Sequence, residues 1–144
     1  MSVTIFHNPE CGTSRNTLEM IRQSGVEPLV IDYRVTPPTA EYLAFLIDQA
    51  GLTVRAAIRQ KDTPYLDLGL DNTALSDADL LAAMVAHPIL INRPFVVTAR
   101  GVRLCRPSEL VLDILLNQDI GPFTKEDGEV VIDADGRRVA AAAH

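Results

Sequence analysis

The chemistry in this chain starts at Cys11. It follows a short β-branched and aromatic run, residues 3–6, and the turn residues His7-Asn8-Pro9-Glu10. A helix is predicted to begin just after it, over about residues 14–24, and to stop at Gly25. A sulfur at a helix N-terminus meets unpaired backbone N–H groups and the positive end of the helix dipole. Both favour the thiolate, which is the nucleophilic form, and both attract anions. His7, four residues before Cys11, is placed to lower the thiol pKa further. Ser14 stands where a Cys-x-x-Cys motif would put its second cysteine. A hydroxyl forms no disulfide, but it can cap the helix or hydrogen-bond the sulfur. Cys11 therefore needs either the other cysteine, Cys105, or an external thiol such as glutathione to resolve it. Cys105 falls on a predicted strand and reads as a packed core residue.

The elements that must position these groups are legible in order. A second strand is predicted over residues 29–33, so the first third reads as a βαβ unit, with parallel strands and a right-handed crossover. Thr36-Pro37-Pro38-Thr39 breaks the chain. A helix follows over about 40–50, with Leu43, Leu46, Ile47 and Ala50 on one face and Gly51 at its end. A short helix is expected over 54–60. Ser76-Asp77-Ala78-Asp79 forms a capping box that opens a helix to about residue 86, stopped by Pro88. Residues 95–98 and 102–105 read as an antiparallel pair about a tight turn. Leu110, Val111, Ile114 and Leu115 predict an amphipathic helix, and 129–132 with 137–139 a small hairpin. The order gives an α/β fold: a thioredoxin-like four-stranded mixed sheet, its last strand antiparallel, with a helical insertion at about residues 36–88. The expected domain spans 1–117. Residues 118–144 form an extension packed on it, frayed over 140–144.

Thioredoxin-like sheets carry a cis-proline opposite the reactive cysteine, and Arg93-Pro94 occupies that junction before the third strand. By this analogy Arg93 is delivered to the sulfur. Arg106 follows the fourth strand, and Arg59 ends the short helix of the insertion. Eleven of the 13 basic residues are arginine. Guanidinium groups hold oxyanions through forked hydrogen bonds that an ammonium cannot copy.

Composition excludes several classes. At 144 residues the chain fits one domain, and 47% apolar with 22% charged residues is ordinary globular usage rather than disorder. Its net charge of −6 disfavours a nucleic-acid surface. No apolar run is long enough to span a bilayer, and no signal peptide is evident, so the cytoplasm is expected. Two cysteines without a Cys/His cluster make no zinc site.

Four blocks together resemble the glutaredoxin-dependent arsenate reductases of the ArsC family. They are His7-Asn8-Pro9-Glu10-Cys11-Gly12-Thr13-Ser14-Arg15-Asn16-Thr17-Leu18, His87-Pro88-Ile89-Leu90-Ile91-Asn92-Arg93-Pro94, Leu104-Cys105-Arg106-Pro107-Ser108-Glu109, and Phe123-Thr124-Lys125-Glu126-Asp127-Gly128-Glu129. The resemblance runs from about residue 3 to 138. It implies that Cys11 attacks arsenate, that His7 keeps it ionised and that Ser14 hydrogen-bonds it. It also implies that Arg59, Arg93 and Arg106 bind the oxyanion and that Cys105 is dispensable. The implied enzyme is a cytoplasmic monomer with no bound cofactor or metal. Glutathione is its co-substrate and glutaredoxin its partner, in arsenic detoxification. Glu10 departs from the small residue expected before the cysteine and should face solvent. Arg100, in the predicted turn, should be exposed and silent.

Two other readings share part of this pattern. An Spx-type transcription regulator that binds RNA polymerase has the same fold and cysteine loop, but it often uses Cys-x-x-Cys, which Ser14 breaks. A related thiol oxidoreductase of unknown substrate would vary at the third block. A phosphatase-like arsenate reductase is excluded, because its Cys-x5-Arg loop would need arginine where Thr17 stands.

Overall fold

The computed structural model describes residues 2–139, so the expected fraying of 140–144 lies outside the described residues. Short β-branched and apolar runs build β1 (Thr4–His7) and β2 (Leu29–Asp32), which pair in parallel around helix α1 (Gly12–Gln23). The insertion carries α2 (Ala40–Gln49) and α3 (Asp77–Ala86). Thr39 caps α2 by accepting the Tyr42 N–H, and Ser76 and Asp79 close the expected capping box on α3. The chain then forms β3 (Phe95–Thr98) and β4 (Gly101–Leu104), joined by the two-residue turn Ala99-Arg100. Arg100 is exposed there. The sheet order is β2-β1-β3-β4, a thioredoxin-like mixed sheet with a helical insertion.

Strand direction differs in one respect from the sequence reading. β3, not β4, runs against the rest: it is antiparallel to both β1 and β4. The register supplies the reason. β2 leaves the sheet at Asp32, beside His7, and the insertion returns at Phe95, paired with Phe6. The chain re-enters at the end it left, so the next strand must run back. Because β4 then reverses β3, Leu104 also pairs with Phe95 at that end. The segments after β1 and β4, and the segment before β3, thus meet at one edge.

Side chains alternate between two cores. Ile5, Val96 and Cys105 pack with Met20 and Ile21 of α1, while Phe6, Phe95 and Val102 pack with Leu43, Leu46 and Met84 of the insertion. Three short segments depart from expectation. Residues predicted as a helix over 54–60 form only a 3-10 turn, Arg55–Ala57. Ile58 is extended and bridges to Ile91, so it cannot continue a helix. The expected amphipathic helix after Pro107 is a 3-10 helix, Ser108–Asp113. Its tighter winding buries Leu112 with Val111 and leaves Leu110 half-buried, unlike the stripe read from a 3.6-residue period. In the tail, β5 (Phe123–Thr124) pairs antiparallel with β6 (Val130–Ile132). The predicted hairpin survives as a bridge from Ile132 to Arg138.

Ile120, Phe123, Val131 and Ile132 of the tail are buried against α1, and the Gln23 side-chain amide donates to the Ile120 and Pro122 carbonyls. Phe123→Ala should therefore cost about 3–5 kcal/mol, as for a core aromatic. Denaturant unfolding should remain a single transition. An unchanged midpoint would mean that the tail is not part of the core.

Candidate active site

Cys11 is the N-cap residue of α1, which begins at Gly12, two residues earlier than the sequence reading places it. Asn8 organises the loop before it. Its carbonyl accepts the Cys11 N–H (3.0 Å), its side-chain oxygen accepts the Glu10 N–H (3.0 Å), and its amide donates to the Tyr33 hydroxyl (3.4 Å). Asn8 is buried, and sequence reading assigns it no part beyond turn chemistry. Glu10 lines the cavity at Cys11 with its side chain 83% exposed, and Arg34 is 3.3 Å from its carboxylate.

His7 and Ser14 lie beneath the sulfur rather than in the open site. His7 Nδ1 is 2.7 Å from Ser14 Oγ, which also accepts the Asn8 N–H at 3.0 Å. Ser14 is fully buried. His7 therefore contacts the hydroxyl beside Cys11. Burial pushes its imidazole below the ordinary value; Asp32 opposes this, and Arg22, Arg15 and Arg34 reinforce it.

Three arginines converge on the cavity from three chain segments. The Arg59 N–H donates to the Leu90 carbonyl (2.7 Å), and Asn92 N–H donates to the Ala57 carbonyl (3.0 Å). These bonds tie Arg59 to the segment that ends at Arg93. Arg93 precedes Pro94 through a cis peptide bond, as does Arg106 before Pro107. Arg106 Nη1 donates to the Arg93 carbonyl (3.0 Å) and lies 3.8 Å from Cys11 Sγ. Arg93 is only 7% exposed, and its Nε and Nη1 have no hydrogen-bond partner among the described residues. Buried N–H donors without acceptors are rare and costly, so these point to a ligand.

Cys11, Arg59, Arg93 and Arg106 line one cavity of about 460 Å³. Sequence reading gathers these four but misses Lys125, Glu126 and Asp127 of the tail, which line the same cavity. The fourth sequence block points at these residues without giving them a place. Burial pushes the Cys11 thiol up. The Ser14 N–H, close to the sulfur without completing a cap bond, together with Arg93 and Arg106, outweighs it, so the thiol lies below its ordinary value. The opposed cations also act on one another: burial, then Arg93 and Arg106, pull the Arg59 guanidinium down, and Cys11 partly restores it. Cys105 is fully buried, and burial pushes its thiol up to about 12. Among the described residues no cluster of His, Cys, Asp or Glu is placed to hold a metal ion, and no helix is long and apolar enough to cross a membrane.

A thioredoxin-like fold with an activated cysteine in an arginine-lined cavity defines the class: a thiol protein with a positively lined pocket at its cysteine. The sequence profile of the ArsC family matches residues 6–114, and the chain belongs to that family. It is 61% identical to an arsenate reductase of Rhizobium meliloti (strain 1021) over 96% of this chain and 99% of that one. It is 56% identical to an arsenate reductase of Escherichia coli (strain K12) over 96% and 98%. Among solved structures it resembles an arsenate reductase from Vibrio cholerae, with a TM-score of 0.76 and 48% identity over 80% of this chain and 98% of that one.

Iodoacetamide at neutral pH should alkylate Cys11 in the folded protein and leave Cys105 untouched, both being labelled after denaturation. Mass spectrometry of the peptides reads this directly, and labelling of Cys105 first would contradict the assignment of the reactive thiol.

Proposed function

We propose that this protein is an arsenate reductase that converts arsenate to arsenite with glutathione and glutaredoxin. The observation that carries the proposal is the buried Arg93 guanidinium, with two unpartnered nitrogens, in the cavity that holds the activated Cys11. An anionic nucleophile and an anionic substrate repel by about 4 kcal/mol at about 4 Å in a surface-like dielectric. More than one cation is needed to offset this, and Arg59, Arg93 and Arg106 supply three. They hold the tetrahedral oxyanion at the helix N-terminus; the Ser14 N–H, with Arg93 and Arg106, keeps the sulfur ionised, and His7 acts by positioning Ser14 through its hydroxyl.

The Cys11 thiolate attacks arsenic, an S–As bond forms, and hydroxide leaves as water after taking a proton. The glutathione thiolate adds to the same arsenic and displaces a second hydroxide. The two sulfurs then join. One S–S bond forms, both S–As bonds break, and the two electrons they release reduce As(V) to As(III). Arsenite leaves, and a Cys11–glutathione disulfide remains for the glutaredoxin thiolate to reduce by exchange. The chemistry needs no bound cofactor. Cys105, inert by its raised pKa, takes no part. We assign the activity to a monomer in the reducing cytoplasm, where glutathione is available.

NADPH oxidation coupled through glutathione reductase should require arsenate, glutathione, glutaredoxin and the protein together. Cys11→Ser should abolish it and Cys105→Ser should retain most of it. Arg59→Ala, Arg93→Ala and Arg106→Ala should each raise KM for arsenate about tenfold, the worth of one charge-assisted hydrogen bond. Phosphate has the same shape but is not reduced by thiols, so it should inhibit competitively. Arsenate-independent oxidation, or full activity of Cys11→Ser, would refute the proposal.

A further inference from the structure

The cavity has an unexpected lining for an oxyanion site, because it contains carboxylates: Glu126, with Asp127 and Glu10. Glu126 lines it together with Arg59, Arg93 and Arg106. Both Glu126 carboxylate oxygens accept from Arg15, Oε1 from Nε (3.1 Å) and Nη2 (2.9 Å), and Oε2 from Nε (2.9 Å). Arg15 lies one helical turn after Cys11, and its Nη1 donates to the Pro9 carbonyl (2.8 Å). It is thus fixed beside the cysteine loop, yet it does not line the cavity. The pair sits over Gly12, where a β-carbon would lie 3.7 Å from Arg15 Nη2 and 3.8 Å from Glu126 Oε1. The Glu126 N–H also donates to Asn16 Oδ1 (3.1 Å), which holds this tail residue on α1.

We infer that Glu126 masks Arg15, a fourth guanidinium at the rim of the site, and thereby sets how tightly the cavity holds its oxyanion. The inference rests on the oxyanion reading of the cavity proposed above. Glu126, above all, raises the Arg15 pKa, and the Cys11 charge adds to it, so the thiolate and Arg15 lie within electrostatic reach. A bidentate carboxylate occupies the donors that an oxyanion would use. It also places a negative charge against the incoming anion. A fourth free cation would strengthen the binding of any tetrahedral oxyanion, reducible or not. Such uniform binding does not speed the chemical step. The tail therefore sets the affinity of the cavity for tetrahedral oxyanions as a class, as well as forming a wall.

The test is protection of Cys11 from iodoacetamide by inorganic phosphate, read as the phosphate concentration that halves the alkylation rate. Glu126→Gln should lower that concentration about three- to fivefold, and the gain should shrink with added salt. Arg15→Gln alone should change it by less than about twofold, because a masked charge contributes little to begin with. In the double variant the gain should vanish. A merely structural role for the pair predicts the opposite sign: a loosened tail, a lower Tm and weaker protection in Glu126→Gln. The pair is half exposed, at 42% and 49%, and exposed ion pairs add little stability, so the variants should fold. Unchanged or weakened protection in Glu126→Gln would overturn the inference while leaving the oxyanion site intact. So would a large loss in Arg15→Gln alone. A wild-type protein that neither phosphate nor arsenate protects would overturn the oxyanion reading, and the inference with it.

Discussion

A guanidinium buried without acceptors is the constraint on which this structure turns. Arg93 carries a full charge at 7% exposure, and two of its nitrogens find no partner among the described residues. Such a charge is tolerated only where an anion compensates it. The Cys11 sulfur supplies part of that compensation when it is ionised, and the Ser14 N–H together with Arg93 and Arg106 draws the thiol below its ordinary value against the effect of burial. Cation and thiolate are thus mutually dependent, and the residual positive charge is what a bound oxyanion would satisfy. Arg106 completes the arrangement, since one of its nitrogens holds the Arg93 carbonyl and also approaches the sulfur.

The fold exists in this form because those groups come from distant parts of the chain. The insertion leaves and re-enters the sheet at one end, which forces β3 antiparallel and brings Arg93 beside the segment after β1. The β3–β4 hairpin returns the chain to that same end and delivers Arg106. Arg59 is tethered to this arrangement by backbone bonds rather than by its own helix. The helical insertion packs one face of the sheet and α1 the other, so the edge between them stays open.

The βαβ unit, the capping box at Ser76 and the β3–β4 hairpin are legible in the sequence because each is written in local periodicity or turn chemistry. Cys11 is legible from its place before a helix, whereas Arg59, Arg93 and Arg106 are legible as a set only through the resemblance of their sequence blocks, since Arg59 lies beyond its 3-10 turn and ends no element. The direction of β3 is not, because it depends on where a long insertion returns. Nor is the 3-10 winding at Ser108–Asp113, where apolar residues cluster and the period is ambiguous. The wall at Glu126 is invisible for a different reason: its partner Arg15 lies 111 positions away, and ion pairs leave no periodic trace. Spacing alone puts His7 on the sulfur, whereas the structure interposes Ser14.

The most direct test of this mutual dependence is the pH titration of the Cys11 thiolate by its ultraviolet absorbance, compared between the wild type and Arg93→Ala. The wild-type thiol should titrate below its ordinary value. Removing the guanidinium should leave the effect of burial less opposed, so that the midpoint moves upward and less thiolate is present at neutral pH. An unshifted midpoint in a folded Arg93→Ala protein would mean that the buried arginine does not sustain the nucleophile, and the mutual dependence of cation and thiolate would be refuted.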